Sequence, residues 1–199
     1  MSLGPDPLVP RSPLRGRLLV ANPLLPDPNF DRCVILILAH GSEGALGVVL
    51  NRPSSTSVIE VLPHWATTVS PPSVVFAGGP VNARAVIGVA RRQSGAAPSW
   101  WQDGPAWTTV SDDLGTVDLD LDPSAAEEDL AAVRVFAGYS GWDSGQLEGE
   151  IAAGAWWVVD AAPSDAFGPR PADLWHDVLR RQEGSLALVA AFPPDPEMN

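Results

Sequence analysis

Two runs of branched apolar residues dominate the pattern along this chain: "CVILILA" from Cys33 to Ala39 and "ALGVVLN" from Ala45 to Asn51. Between them stand His40-Gly41-Ser42-Glu43-Gly44, turn-forming residues that predict a β-hairpin. Hydrophobicity here is continuous rather than alternating, so both strands are expected to be buried on both faces. A short strand over Arg17 to Ala21 should precede them.

Pro53 should end the second hairpin strand, and "STSVIEVLP" predicts a short helix with Ser57 as N-cap, Glu60 completing a capping box and Pro63 closing it. "SVVFA" and "RAVIGVA" are the next predicted strands, joined through Gly78-Gly79-Pro80. A tryptophan-rich loop spans residues 94 to 107, with Trp100, Trp101 and Trp107 grouped as a possible binding surface. "GTVDLDLDP" alternates like a half-buried strand, and "SAAEEDLAAV" carries a second capping box, Ser124 with Glu127. "VRVFAGY" reads as a strand, followed by a helix on which Leu147, Ile151 and Ala155 recur at four-residue spacing. Asp143 is its expected N-cap, with Gln146 reaching back to it. "WWVVDA" predicts a strand, "ADLWHDVLRR" a helix and "SLALVAAF" a last strand. Hairpins first and strands alternating with helices later imply a single α+β domain, a mixed sheet with helices packed on it.

The length of 199 residues suits one domain. The proline-rich ends, residues 1–15 and 193–199, lack periodicity and are expected to be disordered, leaving a domain over 16–192. Neither a spanning helix nor a signal peptide is legible, and a single cysteine permits no internal disulfide, so a cytoplasmic protein without membrane attachment is expected. All 12 basic residues are arginine, which excludes lysine Schiff-base chemistry and the P-loop lysine. The formal charge of −12 repels phosphate backbones and argues against direct nucleic-acid binding.

Candidate chemistry is sparse. "GYSGW" places glycine one position too early for the G-x-S-x-G elbow of a hydrolase, so Ser140 with His40 and Asp143 makes a poor triad. The histidines at 40, 64 and 176 are far apart in sequence. Asp118, Asp120 and Asp122 would share one strand face, but Pro123 stands where a calcium loop needs its turning glycine. No metal, cofactor or catalytic set is therefore expected, and Cys33, at the start of a buried strand, reads as a small hydrophobe.

Taken together, "ANPLLPDPNFDRCVILILAHGSEGALGVVLNRP", "FAGGPV", "RVFAGYSGWDSGQLEGEI" followed by "WWVVDA", and "DLWHDVLRR" resemble the AlgH/YqgE family of bacterial proteins. The resemblance covers about residues 16 to 192. It implies one α+β domain built on a central, mostly antiparallel, strongly bent and partly barrel-like sheet flanked by helices. The family has no established reaction and carries a transcriptional-regulator label, which in so acidic a chain implies an indirect effect. Many relatives have a cysteine two positions before the hairpin histidine; Leu38 stands there in this chain, so a redox role through that cysteine does not carry over. The family-like polar and glycine positions are Asn29, Phe30, Arg32, His40, Asn51, Arg52, Gly78, Gly79, Tyr139, Gly141, Gln146, Glu148 and Glu150. They are the candidate site for a protein partner or a small ligand in a non-enzymatic binding or regulatory protein. The rival expectation is a small hydrolase with His40, Arg52 and Asp143 or Glu148 around one cleft.

Overall fold

The structure, a computed structural model, describes residues 13–93 and 106–191. The strands run β1 Arg17–Ala21, β2 Val34–Gly41, β3 Gly44–Val49, β4 Pro53–Ser57, β5 Val74–Ala77, β6 Val81–Arg92, β7 Trp107–Ser111, β8 Leu114–Val117, β9 Leu130–Trp142 and β10 Trp156–Asp160. Among the described residues four short helices accompany them: α1 Val58–Val61, α2 Gln146–Ala152, α3 Leu174–Arg180 and α4 Ser185–Val189. The strands form one curled sheet in the order β10-β1-β2-β3-β9-β6-β8-β7, with β4 on β5 and β5 on β9. All pairings are antiparallel except β5 with β9. This is the single, mostly antiparallel, bent α+β sheet that the family resemblance implied.

The hairpin is tighter than its sequence suggested, because Gly41 pairs with Gly44 and only Ser42 and Glu43 remain as loop. Burial on both faces follows the period of two along β2. Val34, Leu36 and Leu38 join one apolar cluster, which α3 covers with Leu174, Trp175, Val178 and Leu179. Cys33, Ile35 and Ile37 join a second cluster on the opposite face, covered by Leu147 and Ile151 of α2. A third cluster packs Trp65 and Val58 against Val75, Val133 and Val135. Each such aliphatic side chain removed from water contributes about 1.5–3 kcal/mol, so a strand feeding two clusters is fixed from both sides.

β9 is the strand on which the sheet bends. Its first part pairs with β6 on one edge and with β5 on the other, and beyond Gly138 its last residues pair with β3. Gly138 takes φ +72, a conformation open to glycine at little cost. Gly78 completes the junction: its N–H donates to the Ala137 carbonyl, and its own carbonyl accepts from Val49 N–H. Arg134, also on β9, is fully buried and donates to the carbonyls of Pro71 (2.6 Å) and Gly168 (3.2 Å) while its guanidinium lies 4.4 Å from the Phe76 ring centre. Burial alone lowers its pKa to about 10.

Several local expectations are corrected. "PSSTS" is strand β4 rather than a break, because its backbone finds β5 as partner. Ser57 does precede α1, but its side chain makes no cap hydrogen bond. "GTVDLDLDP" is a strand only as far as Val117, where pairing with β6 and β7 ends. Asp118 then accepts from Asp120 N–H, and Asp122 from Ser124 N–H, so these acids hold turns and do not share a strand face. The amide of Ser124 holds the Asp122 carboxyl below its ordinary range.

The Ser124–Glu127 box yields no α-helix: Asp122 caps a 3-10 turn at Pro123–Ala125, and β9 begins at Leu130. "SLALV" is helix α4, not a strand. Gly145, in the left-handed region, stands at the N-cap of α2 in place of Asp143. Gln146 nevertheless reaches back, its Oε1 accepting from Asp143 N–H at 3.0 Å. Trp100 and Trp101 lie outside the described residues, whereas Trp107 is buried in β7. Among the described residues no helix is long and apolar enough to cross a membrane.

Candidate aromatic cleft beside helix α2

The candidate residues fall into three groups, and secondary structure dictates the grouping. The first lies around the turn that leads into β2. Asn29 N–H donates to Asp27 Oδ1, closing a local turn. Arg32 follows with φ +48, and its guanidinium sits 5.2 Å from the Trp175 ring centre. Asn51 is buried and stitches the hairpin base, accepting from Val34 N–H at 3.0 Å and donating to the Arg32 carbonyl at 2.8 Å. Arg52 donates from Nη2 to the Asp31 carbonyl.

Cys33 belongs to the same region. It is fully buried, with Sγ 3.5 Å from the Asn29 carbonyl. Burial pushes its thiol up to about 11, against the pull of the Arg52 guanidinium. The native protein should therefore resist thiol reagents at pH 8 and react fully once unfolded in urea; prompt native labelling would contradict the assignment. A raised folded pKa contributes stability that is whole below the unfolded value of 9.0 and is lost as pH rises toward 11. Urea midpoints should fall across that window by the equivalent of about 2–3 kcal/mol, and Cys33→Ala should flatten that part of the decline.

The second group lies at the far end of the hairpin. His40 Nδ1 accepts from Leu14 N–H at 3.0 Å, and Nε2 lies 2.9 Å from Glu148 Oε1. An acceptor Nδ1 fixes the tautomer, so Nε2 carries the proton and donates it to the carboxylate. Both ring nitrogens are thus engaged, and His40 ties the buried Leu14 and helix α2 to the hairpin tip. Leu14 as partner had no signal in the sequence. Arg52 follows β3 and His40 lies near the turn end of β2, so the two stand toward opposite ends of the hairpin, roughly 20 Å apart by strand rise. Ser140 is buried, its hydroxyl directed at the Gly78 carbonyl at 3.4 Å. Of the groups that the hydrolase expectation gathered, His40 and Glu148 meet, while Arg52 stands toward the other end of the hairpin.

The third group forms a cleft of about 200 Å³ between the turn before β2 and helix α2. Phe30, Trp142 and Trp156 give it aromatic walls, and Asp27, Gln146 and Glu150 give it polar groups. Pro80, next to Gly78 and Gly79, and Gly141 border it. The rings stand nearly perpendicular in sequence: Phe30 meets Trp156 at 5.4 Å and 74°, and Trp156 meets Trp142 at 6.1 Å and 83°. Edge-to-face contacts of this kind are the favoured geometry of aromatic quadrupoles.

Glu150 is the polar centre of the cleft. Its Oε2 accepts from both indole N–H groups, Trp142 at 2.9 Å and Trp156 at 2.7 Å, while Oε1 accepts from Gln146 Nε2 at 2.9 Å. Gln146 and Glu150 meet because residues four apart share a helix face. That spacing was visible in the sequence, whereas Trp156 read only as part of the strand "WWVVDA" and Trp142 only as part of the turn "GYSGW". Gly78 and Gly79 abut the backbone of β9, and half-buried Tyr139 packs against the first apolar cluster. Among the described residues no three His, Cys, Asp or Glu side chains gather as a metal site.

With this geometry in view, the comparisons agree with one another. A profile described as AlgH-like matches residues 18–187. A UPF0301 protein of Streptomyces avermitilis is 49% identical over 188 residues, covering 94% of this chain and 96% of its own. One from Mycobacterium tuberculosis is 48% identical over 185 residues, covering 92% and 90%. The crystal structure of protein DIP2367 from Corynebacterium diphtheriae is similar with a TM-score of 0.85 at 36% identity, covering 92% of this chain and 94% of that one. The solution structure of the AlgH protein from Pseudomonas aeruginosa is similar at a TM-score of 0.67 and 27% identity, covering 98% and 100%.

Proposed function

This chain belongs to the AlgH-like family, and from that premise we propose that it is a non-enzymatic binding protein with a regulatory role, its ligand seated in the cleft of Phe30, Trp142, Glu150 and Trp156. The observation that carries this reading is the division of labour among the candidate residues. Those with catalytic potential are spent on the scaffold, His40 through both ring nitrogens and Arg52 through a backbone carbonyl. Those beside α2 converge on a concave aromatic site with a few placed polar groups, the usual form of a small-ligand pocket.

A regulatory effect through direct DNA contact is disfavoured by charge. Arg17, Arg92, Arg170, Arg180 and Arg181 each stand beside an aspartate, which leaves no basic face among them to track a phosphate backbone. Regulation would pass through the ligand-bound protein instead.

Thermal denaturation against a panel of small cations, anions, neutral sugars and nucleotides tests the reading. A ligand at 100 times its Kd adds about 2.7 kcal/mol, which in a domain of this size raises Tm by several degrees. At least one class should do so, and Phe30→Ala should abolish the gain. A silent panel, or turnover of an ester or phosphate substrate that His40→Ala abolishes, would overturn it.

A further inference from the structure

The cleft has an imbalance of charge that specifies its ligand. Asp27 and Glu150 both line it, and among the described residues no arginine or histidine does. Among the described residues Glu150 forms no ion pair; its three partners are neutral donors. A carboxylate offers about four acceptor sites on two oxygens. Oε2 is filled by the two indoles and Oε1 by one amide, so a single acceptor position remains, on Oε1. Beside this charge Phe30, Trp156 and Trp142 pack edge to face in succession, the two indoles buried with their N–H edges on Glu150 and Phe30 half-buried at the cleft; ring faces carry the negative part of the aromatic quadrupole. Anionic oxygen and ring faces attract the same species.

Resting on the reading of this cleft as the binding site, we infer that it takes a compact organic cation, a quaternary ammonium or guanidinium group with its charge against Phe30 and its counter-charge on Glu150. The size agrees. About 200 Å³ is below the range that encloses a drug-sized molecule, yet it suits one cationic head. The surplus of negative charge over the whole chain, formally −12, draws cations toward the surface and repels anions.

Choline and methylguanidinium are the probes, with 3,3-dimethylbutan-1-ol as the uncharged isostere of choline. Nitrogen–proton correlation spectra of the full chain report on the Trp142 and Trp156 indole N–H groups directly. Saturable shifts of those two signals are expected with at least one cation, and binding of the isostere at least tenfold weaker than choline. Glu150→Gln should weaken cation binding at least tenfold, and Asp27→Asn at the rim several-fold. Asp177→Asn on α3, which removes an equal charge elsewhere, should leave it unchanged.

The comparison of choline with its isostere uses only the unaltered protein, so it decides the matter even where Glu150→Gln fails to fold. Equal binding of choline and the isostere, with methylguanidinium silent, would leave an apolar pocket and end the cation assignment while the binding reading stands. Indole signals unmoved by both cations would overturn the assignment outright; the wider thermal panel then judges the cleft itself.

Discussion

Glu150→Ala is expected to lower the stability of the protein by about 3–5 kcal/mol, with a fall in Tm of roughly 10 °C in a chain of this length. The figure follows from what the carboxylate satisfies. Trp142 and Trp156 are 7% and 3% exposed, and among the described residues their indole N–H groups donate only to Glu150 Oε2. Truncation leaves both donors buried without an acceptor, and each such group costs about 1–3 kcal/mol. Loss of side-chain packing between α2 and β10 adds to this.

Glu150→Gln separates the hydrogen-bond contribution from the charge. Its amide oxygen can still accept from both indoles, so the loss should stay below about 1.5 kcal/mol. Urea denaturation of the two variants beside the wild type is the measurement. An alanine variant within 1 kcal/mol of wild type would show that the indoles are satisfied some other way.

Gly79→Ala should cost about 4 kcal/mol, or prevent accumulation of folded protein altogether. A Cβ at this position would stand 2.3 Å from the Tyr139 carbonyl carbon, 2.4 Å from its oxygen and 2.5 Å from Ser140 N. These are backbone atoms of β9 and cannot rotate away, and φ +152 is itself unfavourable for a residue with a Cβ. Moving the segment apart would break the Gly78 bonds to Ala137 and Val49 at the sheet junction. Gly149→Ala is the control: nothing lies within 4 Å of its Cβ position in α2, so it should gain about 0.5–1 kcal/mol. If chemical denaturation ranks the two variants equally, the junction is softer than its geometry indicates.

These two positions also mark where the sequence was legible. The strands β1, β2, β3, β9 and β10 announced themselves because runs of consecutive apolar residues mark them, a signal that the buried Arg134 and Ser140 of β9 did not erase. β4 and β7 did not, since "PSSTS" and "WTTVS" become strands only by finding β5 and β8. "SLALV" shows the reverse failure: five residues with three large aliphatics satisfy a period of 2 about as well as one of 3.6, and only docking beside α3 selects the helix.

In "SAAEEDLAAV" a sound local helix signal lost to long-range pairing, because β6 claims the chain from Leu130 onward. The candidate residues were legible as polar exceptions in apolar surroundings, but their grouping was not. Phe30 and Glu150 are 120 positions apart and meet only because β10 pairs with β1 and brings Trp156 between them. His40 and Glu148 met as partners for the same kind of reason, and Arg52 was carried away from them by the hairpin.

The sharing of β9 by β3, β5 and β6 bears on how the molecule comes apart. A sheet whose two halves met only through a loop could open one half at a time, whereas here neither half can separate without releasing the same strand. Amide hydrogens on the buried residues Val133, Val135 and Phe136 would then exchange with solvent only through global opening. Their exchange rates in deuterated buffer would read out the stability of the whole molecule, while those of α4 at the sheet's periphery would report only local fluctuation.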